Sequence, residues 1–159
     1  MLTPQERQVR IAVIRSFPAR LRHLVAGLTA EQLTTHYLPK EWTVAQNVHH
    51  LVDSHINSLI RFKLILTEER PPLKGYSQDD WANHPDANTA YIENSLAILE
   101  GLHDRWALLL ESLNEVQYQR VGIHTERGEV SIDDLIVTYS DHCDAHTEQI
   151  TRTLAAQPR

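Results

Sequence analysis

Apolar residues recur every three or four positions along most of this chain, the spacing that lines one face of an α-helix. The last run is the clearest. Ile132, Leu135, Ile136, Tyr139, Cys143 and Ile150 form its buried stripe, Ser131 caps it with Asp134 closing the box, and it is expected to reach about Leu154. At the other end Thr3 is a cap, Pro4 the first helical residue and Glu6 the box partner. Val9, Ile11, Ala12, Ile14, Leu21, Leu24 and Val25 then point to a core as far as Gly27, with Pro18 expected to kink or interrupt the helix. A short turn over Thr29 to Leu33 and an extended link through Tyr37-Leu38-Pro39 come next. Thr43 and Gln46 open a second long helix to about Thr67, roughly 36 Å of chain. Its stripe is Val44, Val48, Leu51, Leu59, Phe62 and Leu66, widened by Val52, Ile56 and Ile65. A third helix is expected from Thr89 to Leu113, burying Tyr91, Leu96, Leu99, Leu102, Trp106, Leu109 and Leu110.

Two irregular segments separate these helices. Pro71-Pro72 ends the second helix and begins a loop to Ala87 in which Trp81 is expected to pack beneath the chain. Between Asn114 and Ser131, Gln119–His124 and Gly128–Val130 are candidates for a small hairpin around Glu126-Arg127-Gly128. The pattern predicts an all-α fold, a four-helix bundle with long loops and a candidate β-hairpin before the last helix. At 159 residues it fits one domain over residues 1–159 better than two.

Composition narrows the function. Net charge is -6 with acidic and basic residues interspersed, so no basic stripe for nucleic acid is present. No apolar run approaches a membrane span and the start lacks a signal-peptide layout, so a cytoplasmic protein is expected. The one cysteine, Cys143, fits a reducing compartment. Ten histidines are more than such a chain requires, and His49, His50 and His55 cluster on the second helix.

His142 and His146 lie one turn apart along the edge of the last helix's buried stripe. Imidazoles aimed at a core need partners, either other polar groups or a shared divalent metal. In a bundle, a histidine from the second helix can complete a three-imidazole site with a free coordination position, the arrangement of catalytic rather than structural zinc. The residues alone do not choose among His49, His50 and His55, and periodicity puts His55 deepest. His50 aligns with Asn47, Ser54, Asn57 and Arg61 on a polar edge. Such an edge suits a wet pocket or a solvated or subunit-facing surface, with Asn57 and Arg61 as candidates for binding a substrate's or cofactor's polar groups or for holding an interface. Asp53 and Asp141 are sequence-adjacent candidates for a base.

Trp42-Thr43-Val44 with His50 eight residues after the Trp, followed by Tyr139-x-x-His142-x-x-x-His146, resembles the DinB-like superfamily of four-helix-bundle metalloproteins. The stretch from Trp42 to Ser58 with Arg61-Phe62-Lys63 is similar to the bacillithiol transferase branch. Asp80-Trp81-Ala82, Ser95–Glu100 and Gly128–Ser131 extend that likeness over nearly the whole chain. The resemblance implies metal ligands at His50, His142 and His146. Where the branch often carries His-His this chain has Ala145-His146, which keeps the ligand. It also implies a homodimeric enzyme that holds one divalent ion, Zn or Ni, and joins a low-molecular-weight thiol to a small electrophile through a metal-bound thiolate. Two alternatives stand beside it: a metal-dependent hydrolase using activated water, and a non-catalytic metal-binding bundle of the stress response.

Overall fold

The computed structural model describes residues 1–158. Four long helices, α1 (Pro4–Val25), α3 (Val44–Thr67), α5 (Glu93–Glu111) and α7 (Ile132–Ala155), form a bundle, with the short α2 (Ala30–Thr34), α4 (Gln78–Ala82) and α6 (Glu115–Tyr118) in its connections. Helix starts follow local chemistry. Reciprocal capping boxes join Thr3 to Glu6, Thr43 to Gln46 and Ser131 to Asp134, each satisfying backbone N–H groups that a first turn leaves unpaired. Gly27, at φ 73°, takes the left-handed turn just after α1. The first helix continues through Pro18 without interruption.

Helix α1 packs on α5 and α7, and α3 packs on the same two, so α1 and α3 stand across a diagonal. That order makes α3 and α7 neighbours although some sixty-five residues separate them in the chain. The candidate hairpin is present as β2 (Val121–His124) against β3 (Gly128–Ser131), and Gly128 turns the chain at φ 72°. A third strand that the sequence pattern does not announce, β1 (Pro72–Leu73), pairs parallel with β2. It is only two residues long and starts on a proline, which is tolerated because it lies at the sheet edge. Gly122 permits the close approach: a Cβ there would stand 2.8 Å from Leu73 and 3.0 Å from Ile65.

Several expectations are corrected. The third long helix begins at Glu93, four residues after Thr89, because Thr89 binds the Tyr91 amide N–H through its hydroxyl and contacts His49 through its carbonyl. Tyr91 therefore points outward, 64% exposed. Val9 and Ala12 of α1 and Ile56 of α3 are also exposed rather than turned to the core.

The core is layered. One apolar cluster holds Ile14, Leu59, Phe62, Trp106 and Tyr139; the other holds Phe17, Leu51, Leu99 and Cys143. On α3, α5 and α7 the boundary between them falls at His55, His103 and His142. The bundle thus carries an imidazole layer between two apolar ones. Among the described residues no helix is long and apolar enough to cross a membrane.

A buried ion pair fixes one end of the bundle. Arg7, 3% exposed, binds the Asp133 carboxylate at 2.8 Å and lies 3.8 Å over the Tyr118 ring. Burial alone would raise the Asp133 carboxyl, but bonds from Arg7, the Leu2 amide and Gln119 outweigh it and hold it below its ordinary value. We expect Asp133→Ala to destabilise the fold by about 3 kcal/mol, since it leaves the buried guanidinium with only the exposed Glu115 carboxylate at 2.9 Å and the Leu2 carbonyl. Urea unfolding measures this, and a change within 1 kcal/mol (roughly) would mean that the pair carries no such burden. Trp106→Ala should cost a similar ~3–5 kcal/mol by opening a cavity between the layers, read from the same curves.

Candidate metal centre

The neighbouring helices α3 and α7 bring three imidazoles together. One nitrogen each from His50, His142 and His146 lies within 4.8 Å of the others. His142 Nε2 is 3.3 Å from His50 Nε2 and 3.2 Å from His146 Nε2. An imidazole nitrogen carries one in-plane hydrogen or one lone pair, so a single Nε2 cannot form a good hydrogen bond with both neighbours. A cation resolves the crowding: nitrogens bound tetrahedrally at 2.0–2.1 Å stand about 3.3 Å from one another. The donor set fits a borderline divalent ion such as zinc or nickel.

Each ring is held by its surroundings. His146 Nδ1 meets Asn47 Oδ1 at 2.7 Å, and the Asn47 amide nitrogen donates to the Thr43 carbonyl at 2.9 Å, which fixes the oxygen toward the imidazole. His146 therefore carries its proton on Nδ1 and turns a bare Nε2 to the cluster. Trp42 lies against both rings, 4.7 Å from His50 and stacked at 17° with His146. The positive φ of 64° at Lys40 turns the chain sharply just before it. Burial pushes His50 down to about 3, with the nearby His146 charge adding to it, and pushes His146 down to about 4. His142 lies well below its ordinary value, through burial first and the other two rings second. All three are neutral donors at neutral pH.

His55 is fully buried, as its place in the apolar stripe predicts, yet it does not join the cluster. Its Nδ1 contacts His103 Nε2 at 2.8 Å and its Nε2 contacts His142 Nδ1 at 3.1 Å. His49 meets Ser95 and the Thr89 carbonyl, tying α3 to the start of α5. His50 is the member of the trio that reaches His142 and His146. Sequence reasoning overlooked His103, although it occupies an inward position in the run Leu96, Leu99, His103, Trp106, Leu110.

The polar edge of α3 lies one to three turns from the cluster. The Asn57 amide donates to the Asp53 carbonyl, a local bond along the helix. Arg61 is buried, donating to the Tyr139 hydroxyl at 2.8 Å and the Lys74 carbonyl at 2.7 Å, and no carboxylate pairs with it among the described residues. The two base candidates stand apart from the cluster. Asp141 is ion-paired with Arg10 at 2.7 Å, and Asp53 is raised by burial and by the Asp86 charge. One residue along a helix turns a side chain by 100°, away from its neighbour's target. Cys143 faces the core, its thiol pushed up by burial.

On the outer side of His142 and His146 lies an open groove of about 450 Å³, bordered by Lys40, Trp42, Gln78, Asp79 and Gln149. That is room for a small molecule. Helix α4 forms one wall and is tied down by Gln46, which donates to the Ala82 carbonyl at 2.9 Å. Trp81, on this helix, lies against Tyr76 with ring centroids 4.3 Å apart and tilted by 36°, and remains 38% exposed rather than packed beneath the chain.

Comparison with known proteins agrees with this architecture. The family model described as the DinB superfamily matches residues 14–150. A provisionally named metal-dependent hydrolase of Geobacillus thermodenitrificans is 46% identical over 142 residues, covering 88% of this chain and 79% of that one. YfiT of Bacillus subtilis, provisionally named in the same way, is 39% identical over 157 residues, 96% of this chain and 88% of its own. The solved structure of YfiT, described as a four-helix bundle of unusual topology, superposes with a TM-score of 0.93 at 38% identity, covering 96% of this chain and 88% of that one. By sequence match and by shared fold, the chain belongs to the DinB superfamily.

Proposed function

We propose that His50, His142 and His146 hold one divalent ion, zinc or nickel, through their Nε2 atoms, and that the protein is a metal-dependent hydrolase acting on a small molecule. The observation that carries this reading is the convergence of the three Nε2 atoms beside an open groove. The names of the relatives support the hydrolytic class. An ion held there supplies Lewis acidity, lowering the pKa of the water or thiol in its remaining coordination position. The chain does the rest. Asn47 keeps His146 in the ligating tautomer, and Trp42 shields the rings from the solvent side. Two carboxylates border the groove. Glu41 is committed to Arg152 at 2.7 Å, whereas Asp79 makes no ion pair among the described residues and is the candidate proton acceptor.

One observation favours a second reading, the transfer of a low-molecular-weight thiol to an electrophile. Among the described residues Arg61 is a buried guanidinium without a carboxylate partner, a suitable counter-charge for an acidic thiol cofactor, and Asn57 stands one turn away on the same edge. Metal-loaded protein assayed on ester and amide substrates without thiol, and on epoxides with thiol, separates the two. Cleavage without thiol supports the hydrolase. Conjugation that needs thiol and falls in Arg61→Met supports the transferase.

Each of His50→Ala, His142→Ala and His146→Ala is expected to abolish stoichiometric zinc binding, while His49→Ala retains it. Metal analysis after dialysis is the readout, and tight zinc in any of the first three variants would remove that residue from the site. Asp79→Asn should lower kcat about 100-fold or more with zinc content unchanged.

The depressed imidazoles also set a pH dependence. An unfolded chain protonates its histidines near pH 6.5 (roughly), whereas His50 and His146 resist protonation until about 3 and about 4. Stability of the metal-free protein is therefore fully present above about 6.5 and lost as pH falls toward those folded values, because the unfolded state binds the extra protons. Its urea midpoint should drop steadily on acidification from about 7 to about 5. A flat profile over that window would show that the rings are not buried neutral.

A further inference from the structure

We propose that His103 and His55 form a one-way hydrogen-bond relay that sets the tautomer of His142, so that its Nε2 lone pair, not its N–H, faces the three-histidine cluster. This rests on the reading of that cluster as a metal site.

The relay starts at Pro18. In an α-helix the N–H of residue 18 would bond the carbonyl of residue 14, and proline has none. The Ile14 carbonyl is thereby left without a helical partner, deep in the core. His103 Nδ1 approaches it at 2.6 Å. A carbonyl oxygen only accepts, so the hydrogen lies on His103 Nδ1. His55 and His103 are fully buried, and His142 is half-buried at the end of the row. No ion pair reaches any of them among the described residues, so a charged ring here would lack compensation. Neutral His103, protonated on Nδ1, offers a lone pair at Nε2. Facing it at 2.8 Å, His55 Nδ1 must donate. That leaves His55 Nε2 bare, and His142 Nδ1 at 3.1 Å donates to it in turn. His142 then has no hydrogen on Nε2, the atom that meets His50 and His146.

Phe17 and Trp106 hold the middle of the relay. Their ring centroids lie 5.9 and 5.7 Å from that of His55, so His55 and His103 have aromatic rather than polar neighbours on these sides. His55 and His103 are positioning residues: they act on the ion only through His142. Outer partners of this kind commonly change metal affinity about 10–100-fold.

The test uses the full chain, metal-free, with 15N-labelled histidine. Two-bond 15N–1H correlation spectra at neutral pH should show His103, His55 and His142 all protonated on Nδ1. His49, whose Nε2 meets the Thr89 carbonyl, should show the opposite tautomer and serves as an internal contrast. Zinc titration against a competing chelator then compares His103→Leu with His103→Gln. The leucine variant breaks the relay and should weaken zinc about 10–100-fold, with His142 populating its Nε2–H form. Glutamine can donate to Ile14 and accept from His55, so it should restore most of the affinity. A wild-type His142 protonated on Nε2 overturns the relay without any substitution, whether or not the leucine variant folds. Unchanged zinc affinity in a folded His103→Leu protein overturns its positioning role. Failure of the wild type to bind zinc would instead refute the metal site, a result that the metal-free tautomers do not depend on.

Discussion

Burying imidazoles in an apolar bundle is the constraint on which the rest of this structure depends. Each ring has two nitrogens that lose water on folding, and each needs a partner in the interior. Here the partners are largely one another. His103 bonds a backbone carbonyl, His55 bonds His103, and His142 bonds His55. Only at the end of the series, where His142 meets His50 and His146, does the supply of complementary donors and acceptors run out. The unmet demand of the imidazoles falls beside a groove, which is where a cation is most useful.

Topology makes that concentration feasible. In a simple up-and-down bundle the last helix would lie beside the first and third. Here α7 lies between α1 and α3, so the capped start of α3 and the middle of α7 meet. The two connections that cross the bundle carry α2 on one side and α6 with the hairpin on the other. These connections also bring in the site's surroundings. Trp42 follows the first of them, and α4, in the loop after α3, supplies the groove wall with Gln78 and Asp79.

Much of this was legible in the residues. Three capping boxes and the 3.6-residue stripes gave the long helices nearly to the residue, because those signals depend on neighbours in sequence. The exception was α5, whose start is set by His49 reaching across from α3, a contact that no local pattern encodes. Strand β1 was missed for the same reason: its two residues become a strand only because β2 lies alongside. For the histidines, periodicity ranked depth correctly, but depth does not set which ring faces the cluster. His55 is the most buried of its trio, yet it is committed to two other rings. His50, at the polar edge, keeps a nitrogen for the cluster. Its candidacy as a ligand comes from the resemblance carried by the Trp42 motif, and its Nε2 lies within reach of His142.

The placement of Pro18 joins these levels. Read locally, a proline in the middle of α1 is a defect that costs about 3 kcal/mol or more in a helix interior. In the fold, the same residue releases one carbonyl inside the core, and that carbonyl meets the first of a row of imidazoles. A backbone acceptor has an advantage over a carboxylate here. It sets direction without adding a buried negative charge, which would draw a proton onto the relay and turn neutral ligands into cations. The relay therefore ends on a neutral group, and its orientation is decided on α1, remote from the groove. The outer face of the cluster is built separately, from the Lys40–Trp42 turn and α4, while the buried half holds the three nitrogens close together.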